Sequence, residues 1–267
     1  MAEETLNIAV DARGVARLTM NRPDVRNAFN AELIDAICDA MGRLNADPAV
    51  RVVVITGEGS AFSAGADINM MREAAGYSPA ENKDDARRLA HMLTAIHDCA
   101  KPTIARINGP ARGGALGIVA ACDVAVAAEE AIFAFTEVRV GLIPAVISPF
   151  VVRAMGPREA RRFFLTAERF DADTAKRIGL VHMVAMGAQL DATVAGVVDD
   201  ILKASPSALR EAKELVRAVA FSPLSDATME TVAGIIARVR ASDEAVEGLT
   251  AFLEKRRPSW LPAANDA

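Results

Sequence analysis

The feature that most constrains the fold is a strand–glycine–helix–strand unit in the middle of the chain. An apolar run over residues 102–107, typical of a buried strand, leads into residues 108–123, which read NGPARGGALGIVAACD. From Gly113 onward small apolar residues predict a buried helix, and a second strand-like run follows over 123–128. Glycines in the first turn of such a helix leave backbone N–H groups uncovered, at the positive end of the helix dipole. These groups suit an oxygen that gains negative charge in a reaction, although close packing against a strand is the simpler explanation of the glycines alone.

The composition of the 267 residues is that of a globular chain with a large core: 52% hydrophobic and 24% charged. The net charge of −5 predicts no general affinity for nucleic acid or anionic membranes. Three scattered cysteines, Cys38, Cys99 and Cys122, indicate reduced packing residues and a cytoplasmic protein. The opening residues MAEETLNIAV argue against a targeting signal, and no apolar run approaches the roughly 18 residues of a membrane span.

Strand and helix patterns alternate over the first two thirds of the chain and then give way to helices alone. Residues 76–85, rich in Gly, Ser, Pro and charge, are expected to form a mobile loop or lid before a helix over 85–100. This order predicts an α/β core over residues 1–187 and a helical C-terminal region over 188–267. The other expected elements are strands within 5–20 and over 51–56 and 179–184, a helix over 31–45 capped by Asn30, a helix over 146–155 broken at Gly156-Pro157, and helix starts at Ser205-Pro206 and Ser222-Pro223.

Two strand-to-helix turns share one character. In FSAGAD, residues 62–67, Gly65 lets the chain turn sharply so that the N–H of Ala66 points outward. The N–H of Gly114 is expected to do the same in the central unit. Two backbone donors aimed at one point form an oxyanion hole, which suits a thioester carbonyl that becomes an enolate, and losing one donor costs roughly 3 to 4 kcal/mol of barrier.

Glu137 is the candidate acid or base. It lies between Phe135 and Val138 and is followed by further apolar residues. Apolar surroundings raise the pKa of a carboxyl group toward the working range of a general acid/base. The alternative is an acid at a strand end, paired with Arg139 or Arg153.

At this point the sequence resembles the crotonase or enoyl-CoA hydratase/isomerase superfamily over nearly its whole length. The resemblance implies a spiral of ββα units with C-terminal helices that form a trimer, often a dimer of trimers. It also implies that Ala66 and Gly114 are the oxyanion-hole donors and that Glu137 is the second catalytic glutamate. The matching stretches, in family order and spacing, are NRPDVRNAF, GEGSAFSAGADI, AKPTIARINGPARGGALG, AACDVAVAAEEAIFAFTEVRVGLIP and EGLTAFLEKRRPSW.

One position departs from the family pattern. The best-known hydratases hold water between two glutamates, and at the position of the first this chain has Gly117. Hydration of an α,β-unsaturated acyl-CoA therefore competes with a second hypothesis, a Δ3,Δ2-enoyl-CoA isomerase that uses Glu137 alone. The run VGLIPAVISPFV, residues 140–151, resembles the methylglutaconyl-CoA or carboxygeranoyl-CoA hydratase branch and suggests a branched acyl group.

Coenzyme A is expected as part of an acyl-CoA substrate, with no separate cofactor. The resemblance places Arg26 near the pantetheine and phosphates, or else as ordinary solvated charge. Asp67, in the turn FSAGAD, is a further candidate for substrate binding, although its main expected role is to cap a helix start, and Asp123 is expected to secure a strand end. The remaining positions for the substrate are Ala28, Ala64 and Ile68 along the thioester and adenine channel, and Phe252 and Lys255 near the coenzyme of the same or a neighbouring subunit.

Other site classes lack their signatures. No dinucleotide fingerprint, P-loop or nucleophile elbow is present, and His91, His97 and His182 have no metal-ligand spacing, so we expect no metal. A non-catalytic binding protein is the alternative from another class, because one branch of the family is known to bind AU-rich RNA. The acidic net charge, the single Tyr and the single Trp argue against it.

Overall fold

The computed structural model describes residues 5–261 and begins with an antiparallel hairpin of β1 (Leu6–Val10) and β2 (Val15–Met20). The carboxylate of Asp11 accepts two backbone N–H bonds inside the turn and so fixes it. This hairpin confirms the two short strands expected from the sequence. Residues 1–4 of the predicted α/β core and residues 262–267 of the predicted helical C-terminal region lie outside the described residues.

The hairpin forms one edge of a six-stranded sheet with the order β1-β2-β3-β4-β6-β9, parallel from β2 onward. Every residue of β3 is buried, as the unbroken β-branched run predicts for a strand covered on both faces. The added strands are β3 (Val52–Gly57), β4 (Thr103–Ile107), β6 (Val124–Ala128) and β9 (Met183–Ala185).

A second, three-stranded sheet has the order β5-β7-β8. Its strands are β5 (Ala111–Arg112), β7 (Ile132–Ala134) and β8 (Phe170–Asp171). Strands β5 and β7 pair in parallel, so their carboxyl ends meet at one edge of the sheet. The chain that leaves β5 at Gly113 and the chain that leaves β7 toward Glu137 therefore start side by side.

Ten helices complete the described residues. They are α1 (Ala31–Ala46), α2 (Ile68–Ala74), α3 (Pro79–His97), α4 (Ala115–Ala121), α5 (Ser148–Thr166), α6 (Ala172–Arg177), α7 (Leu190–Lys203), α8 (Pro206–Val219), α9 (Asp226–Arg240) and α10 (Asp243–Leu253). The side chain of Asn30 caps α1 and that of Ser205 caps α8, as predicted. Gly156, at φ +77° and ψ 159°, breaks α5, which confirms the expected interruption.

Helix α4 is the buried centre of the fold. It packs against α3 on one side and α5 on the other, and six of its seven residues are buried. The small side chains between Ala115 and Ala121 allow this close approach. The larger of the two hydrophobic clusters surrounds α4, and a smaller one lies beneath α7.

Two expectations about helix starts were wrong. Residues 76–85 are not a loop throughout, because α3 begins at Pro79. Ser78 and Glu81 form a reciprocal capping box there, so residues whose composition favours a loop in fact start the helix. Helix α9 begins at Asp226 with Ser225 as its cap, three residues after the expected start at Ser222-Pro223.

The C-terminal helices contrast with α4, since neither α8 nor α9 has a buried residue in the single chain. Helix α8 is joined to the core by an ion pair of 2.7 Å between Lys213 Nζ and Asp123 Oδ2. Asp123 also accepts from the N–H and the hydroxyl of Thr103, and so secures the strand end as expected. Among residues 5–261, no helix is both long enough and apolar enough to cross a membrane.

Candidate active site

The first turn of the site follows β3 and pairs with the segment before α1. The N–H of Phe29 donates to the carbonyl of Gly65 at 2.7 Å, and the N–H of Asp67 donates to the carbonyl of Phe29 at 2.9 Å. Phe29 thus bonds to Gly65 and to Asp67, in a parallel bridge with the residue between them. In such a bridge, the N–H of that middle residue points away from the paired segment. That residue is Ala66, which is exposed and whose N–H has no acceptor among the described residues.

The second turn lies between β5 and α4. Gly113 has φ +52° and donates its N–H to the carbonyl of Ala134 at 2.9 Å, which holds the turn against β7. Gly114 is the N-cap residue of α4, and within residues 5–261 its N–H has no acceptor. Each of the two turns therefore carries one backbone N–H without an acceptor among the described residues.

The two turns touch each other. A Cβ added to Gly65 would lie 2.7 Å from the carbonyl oxygen of Arg112 and 3.6 Å from the Cα of Gly113. The absence of a side chain at Gly65 therefore permits this contact. Its φ of +87° is a second reason for glycine at this position.

Glu137 is the third part of the candidate site and lies beside the second turn. It begins a short 3-10 turn, Glu137–Val140, directly after β7. Its Oε1 lies 3.3 Å from the point where a Cβ on Gly113 would stand. The carboxyl group is therefore beside the glycine turn and would be displaced by any side chain there.

One oxygen of the Glu137 carboxyl group has no hydrogen-bond partner among the described residues. Its Oε2 is fully buried and accepts no hydrogen bond. Burial raises the pKa of Glu137, and the backbone N–H groups of Glu137 and Thr136 offset part of that rise. The expected alternative, an ion pair with a nearby arginine, is absent: Arg139 donates to the carbonyl of Ala167 at 2.9 Å, and Arg153 stacks on the ring of Phe221.

The candidate site therefore contains the unpaired backbone N–H groups of Ala66 and Gly114 and the carboxyl group of Glu137, whose pKa is raised by burial. The donors can polarise a carbonyl oxygen, and the carboxyl group can move a proton at a neighbouring carbon. Among the described residues, no group of three His, Cys, Asp or Glu side chains is placed to hold a metal ion.

The loops expected to hold coenzyme A lie around the first turn. The side chain of Arg26 is exposed, while its carbonyl accepts the N–H of Ala64 at 2.8 Å. Ala28 is buried, Ala64 is half-buried and Ile68 is 73% exposed. The surface next to Ala66 is therefore formed by two small side chains and one exposed side chain.

Asp67 has a structural task in this chain. Its carboxylate caps α2 by accepting the N–H of Asn69 at 2.9 Å. It also forms an ion pair of 3.0 Å with Arg22. These contacts agree with the capping role expected for this residue.

Phe252 and Lys255 are not brought to the three turns. Phe252 lies on α10, which packs against α8 and α9, and its side chain is 80% exposed. Lys255 follows α10 and is exposed, and within the described chain no hydrogen bond or ion pair links it to the site. A role for either residue would involve another subunit or a movement of α10.

Four apolar residues near the glycine helix were not identified as site residues from the sequence. A Cβ on Gly114 would lie 3.5 Å from the ring of Phe29 and 4.0 Å from Leu89. The other two, Leu93 and Ile147, lie against Gly117. Helical spacing assigns Leu89 and Leu93 to a core face, and nothing in the pattern distinguishes a core side chain from one beside a reactive group.

The α/β fold thus places a carboxyl group, one oxygen of which is buried and accepts no hydrogen bond, beside the turn that carries Gly113 and Gly114. The family model described as enoyl-CoA hydratase/isomerase matches residues 11–262, and the chain belongs to this family. It is 33% identical over 263 residues to a crotonyl-CoA hydratase of Syntrophomonas wolfei, with 98% of this chain and 99% of that protein covered.

Solved structures agree with the assignment. An enoyl-CoA hydratase from Shewanella pealeana is 39% identical with a TM-score of 0.93, and 96% of each chain is covered. An enoyl-CoA hydratase from Mycobacterium smegmatis is 34% identical with a TM-score of 0.91, covering 97% of this chain and 99% of that one. These neighbours confirm the crotonase-like fold expected from the sequence.

Proposed function

We propose that the protein adds water across the double bond of an α,β-unsaturated acyl-CoA thioester. The N–H groups of Ala66 and Gly114 hold the thioester oxygen and stabilise the enolate, while Glu137 carries the proton. Water supplies a hydroxyl group to the β-carbon and a proton to the α-carbon, so the reaction needs no cofactor beyond the coenzyme A that the substrate itself carries.

The observation that carries this proposal is the state of Glu137. A fully buried carboxylate oxygen without a partner is costly for a fold, and such groups are concentrated at functional sites. Its position beside Gly113, next to the turn that carries Gly114, supports proton transfer at a carbon next to a carbonyl group held there. The names of the relatives as hydratases point to the same chemistry.

Around this centre, Arg26, Ala28, Ala64 and Ile68 would border the coenzyme. We also propose a homotrimer or a dimer of trimers formed through the C-terminal helices, where Phe252 and Lys255 would approach a coenzyme. The support is the large apolar surface that α8, α9 and α10 leave exposed in the single chain, which one subunit alone does not bury. Its members include Val216, Phe221, Leu224, Met229, Leu249 and Leu253.

The test of the proposed function is Glu137→Gln, which keeps the shape of the side chain and removes its acid–base capacity. We expect kcat for a 2-enoyl-CoA to fall by about 10²- to 10⁴-fold, the usual contribution of a general acid/base, while the Kd for a saturated acyl-CoA stays unchanged. Loss of the conjugated thioester absorbance measures the rate. Glu130→Gln, an exposed position in the turn before β7, is the matched control and should keep full activity. Full activity in Glu137→Gln would remove this residue from the mechanism.

A second candidate reaction is the shift of a double bond from the Δ3 to the Δ2 position. It is favoured by Gly117, which supplies no second carboxylate to the site. In this reaction Glu137 alone removes a proton from the α-carbon and returns it to the γ-carbon. Gain of conjugated absorbance from a 3-enoyl-CoA measures it, and a panel of straight and branched thioesters tests the expected preference for a branched acyl group.

A further inference from the structure

The space beside Gly117 is occupied, although this residue has no side chain. A Cβ at position 117 would lie 2.6 Å from Cγ2 of Ile147 and 2.9 Å from Cδ1 of Leu93. Non-bonded carbon atoms do not approach each other to less than 3.0 Å, so even one added methyl group requires the surrounding side chains to move. Both are closed off from solvent, with Ile147 at 2% and Leu93 at 0% exposure.

This filled space adjoins the reactive turn. Gly114 and Gly117 are three residues apart at the start of α4, and residues at that spacing lie on the same side of a helix. Leu89 and Leu93, four residues apart on α3, lie along the same two glycines, Leu89 at Gly114 and Leu93 at Gly117. An apolar wall of Leu89, Leu93 and Ile147 therefore runs along α4 from the donor at Gly114.

The wall makes the two sides of the site chemically unequal. The carboxyl group of Glu137 lies beside Gly113, and about one helical turn further, at Gly117, lie aliphatic side chains that offer water no hydrogen bond. Water addition needs a water molecule to be held and deprotonated while a proton reaches the α-carbon. A double-bond shift needs a single carboxylate and no water. An apolar wall therefore disfavours the first reaction relative to the second.

We propose that Ile147 is a specificity-determining residue: by packing on Gly117 with Leu93, it keeps polar groups and water off that side and lowers the ratio of water addition to double-bond shift. This inference rests on the proposed function, because both reactions use Glu137 and an acyl-CoA. Both are balanced without an oxidant or reductant. One joins H and OH of water to two carbons, and the other moves one proton from the α- to the γ-carbon.

The first test compares Ile147→Thr with Ile147→Val. The two replacements have nearly the same shape, but only threonine brings a hydroxyl group that can hold water. The kcat/KM values for a 2-enoyl-CoA and a 3-enoyl-CoA of equal chain length give the ratio of hydration to isomerisation. We expect Ile147→Thr to raise this ratio about two- to tenfold, the effect of one hydrogen bond, and Ile147→Val to leave it unchanged.

A stronger test adds a carboxylate after making room for it. The double variant G117E/I147A should raise the ratio by at least about tenfold, since a positioned base contributes 10²- to 10⁴-fold. The control G117Q/I147A has the same size and no base, and should not do so. If circular dichroism shows that the double variants do not fold, the comparison of Ile147→Thr with Ile147→Val alone decides whether the inference holds.

Three results would overturn the inference: equal ratios in Ile147→Thr and Ile147→Val, a ratio in G117E/I147A no higher than in G117Q/I147A, or a wild-type protein that hydrates without measurable isomerisation. Failure of the proposed function has a different signature. It would appear as activity retained by Glu137→Gln toward both thioesters, whatever the variants at position 147 do.

Discussion

Gly113 and Gly117 lie about one helical turn apart, and the missing side chain has a different consequence at each. At Gly113 the empty position leaves room for a carboxyl group, with Oε1 of Glu137 3.3 Å from where a Cβ would stand. At Gly117 the empty position is filled by aliphatic carbon, 2.6 Å away. The turn before α4 therefore lies beside a carboxyl group with one unpaired oxygen, and the next helical turn lies against buried aliphatic side chains.

The difference shows that the loss of a side chain need not leave a cavity. A glycine at position 117 would leave space beside α4 if no other side chain reached it. Ile147 occupies it from another segment, so the position is closed to water as well as to a carboxylate. The absence of a side chain at Gly117 therefore leaves no room for a water molecule or a further polar group there.

Among the glycine substitutions, the largest effect should come from changing Gly65, next to the polar end of the site. In Gly65→Ala, the new Cβ would lie 2.7 Å from the carbonyl oxygen of Arg112, in a backbone with φ +87°. The turn must shift and carry the N–H of Ala66 with it. We expect kcat to fall by about 10²- to 10³-fold, the effect of losing one oxyanion donor.

The control for this prediction is Gly156→Ala. Gly156 also has a positive φ, +77°, but an added Cβ there meets nothing within 4 Å. We expect it to lose about 1 to 3 kcal/mol of stability through backbone strain and to keep its kcat. A similar fall of kcat in both variants would mean that strain, and not the donor at Ala66, explains the effect.

The apolar end is tested by Gly117→Ala, with an effect on stability. The added methyl group meets Ile147 and Leu93 at less than 3.0 Å, so we expect a loss of about 1 to 3 kcal/mol from overpacking. Denaturant unfolding measures it. Gly196→Ala, an exposed helical glycine of α7 with nothing within 4 Å, should instead gain about 0.5 to 1 kcal/mol from helix propensity.

A double-mutant cycle then locates the cause. If Ile147 is the obstacle, combining Gly117→Ala with Ile147→Val should cost less than the sum of the single variants. If the two free-energy changes simply add, Ile147 is not the side chain that opposes the added methyl group. The close packing of Ile147 on Gly117 would then not hold in solution.

Local signals were sufficient for most of the fold. Periodicity and caps predicted β3, α1 and α8, because a buried strand and an amphipathic helix each impose a repeat on the sequence. The two-residue strands β5 and β8 are too short to show any period. The start of α3 was missed because Ser78 and Pro79 are typical of both loops and helix caps.

The candidate site divides in the same way. The glycine turns at Gly65 and Gly113 leave a local trace, and so does the apolar flank of Glu137. The contact between Ile147 and Gly117 leaves none, since it joins positions 30 residues apart through the packing of α4 against the segment before α5. That Phe252 and Lys255 lie apart from the site in one chain is likewise a property of tertiary structure.

The smallest effect concerns the burial of Glu137 and links activity to stability. Burial raises the pKa of this carboxyl group above its ordinary value of 4.5. The carboxylate is the form that accepts a proton, so kcat/KM should fall as the pH drops through that raised pKa. The same shift favours the protonated form in the folded state. The stability it contributes is therefore present below the unfolded pKa and lost as the pH rises through the folded one.

Glu137→Gln should accordingly raise the thermal midpoint slightly at neutral pH, with the difference from wild type disappearing toward pH 4.5. The pH at which this difference reaches its full size should match the acid limb of the wild-type kcat/KM profile, because the folded-state pKa of Glu137 governs both. A variant that is less stable than wild type at neutral pH would mean that the carboxylate has a stabilising partner in solution. In that case the polar end of α4 would be as fully packed as the apolar end, and the contrast between Gly113 and Gly117 would fail.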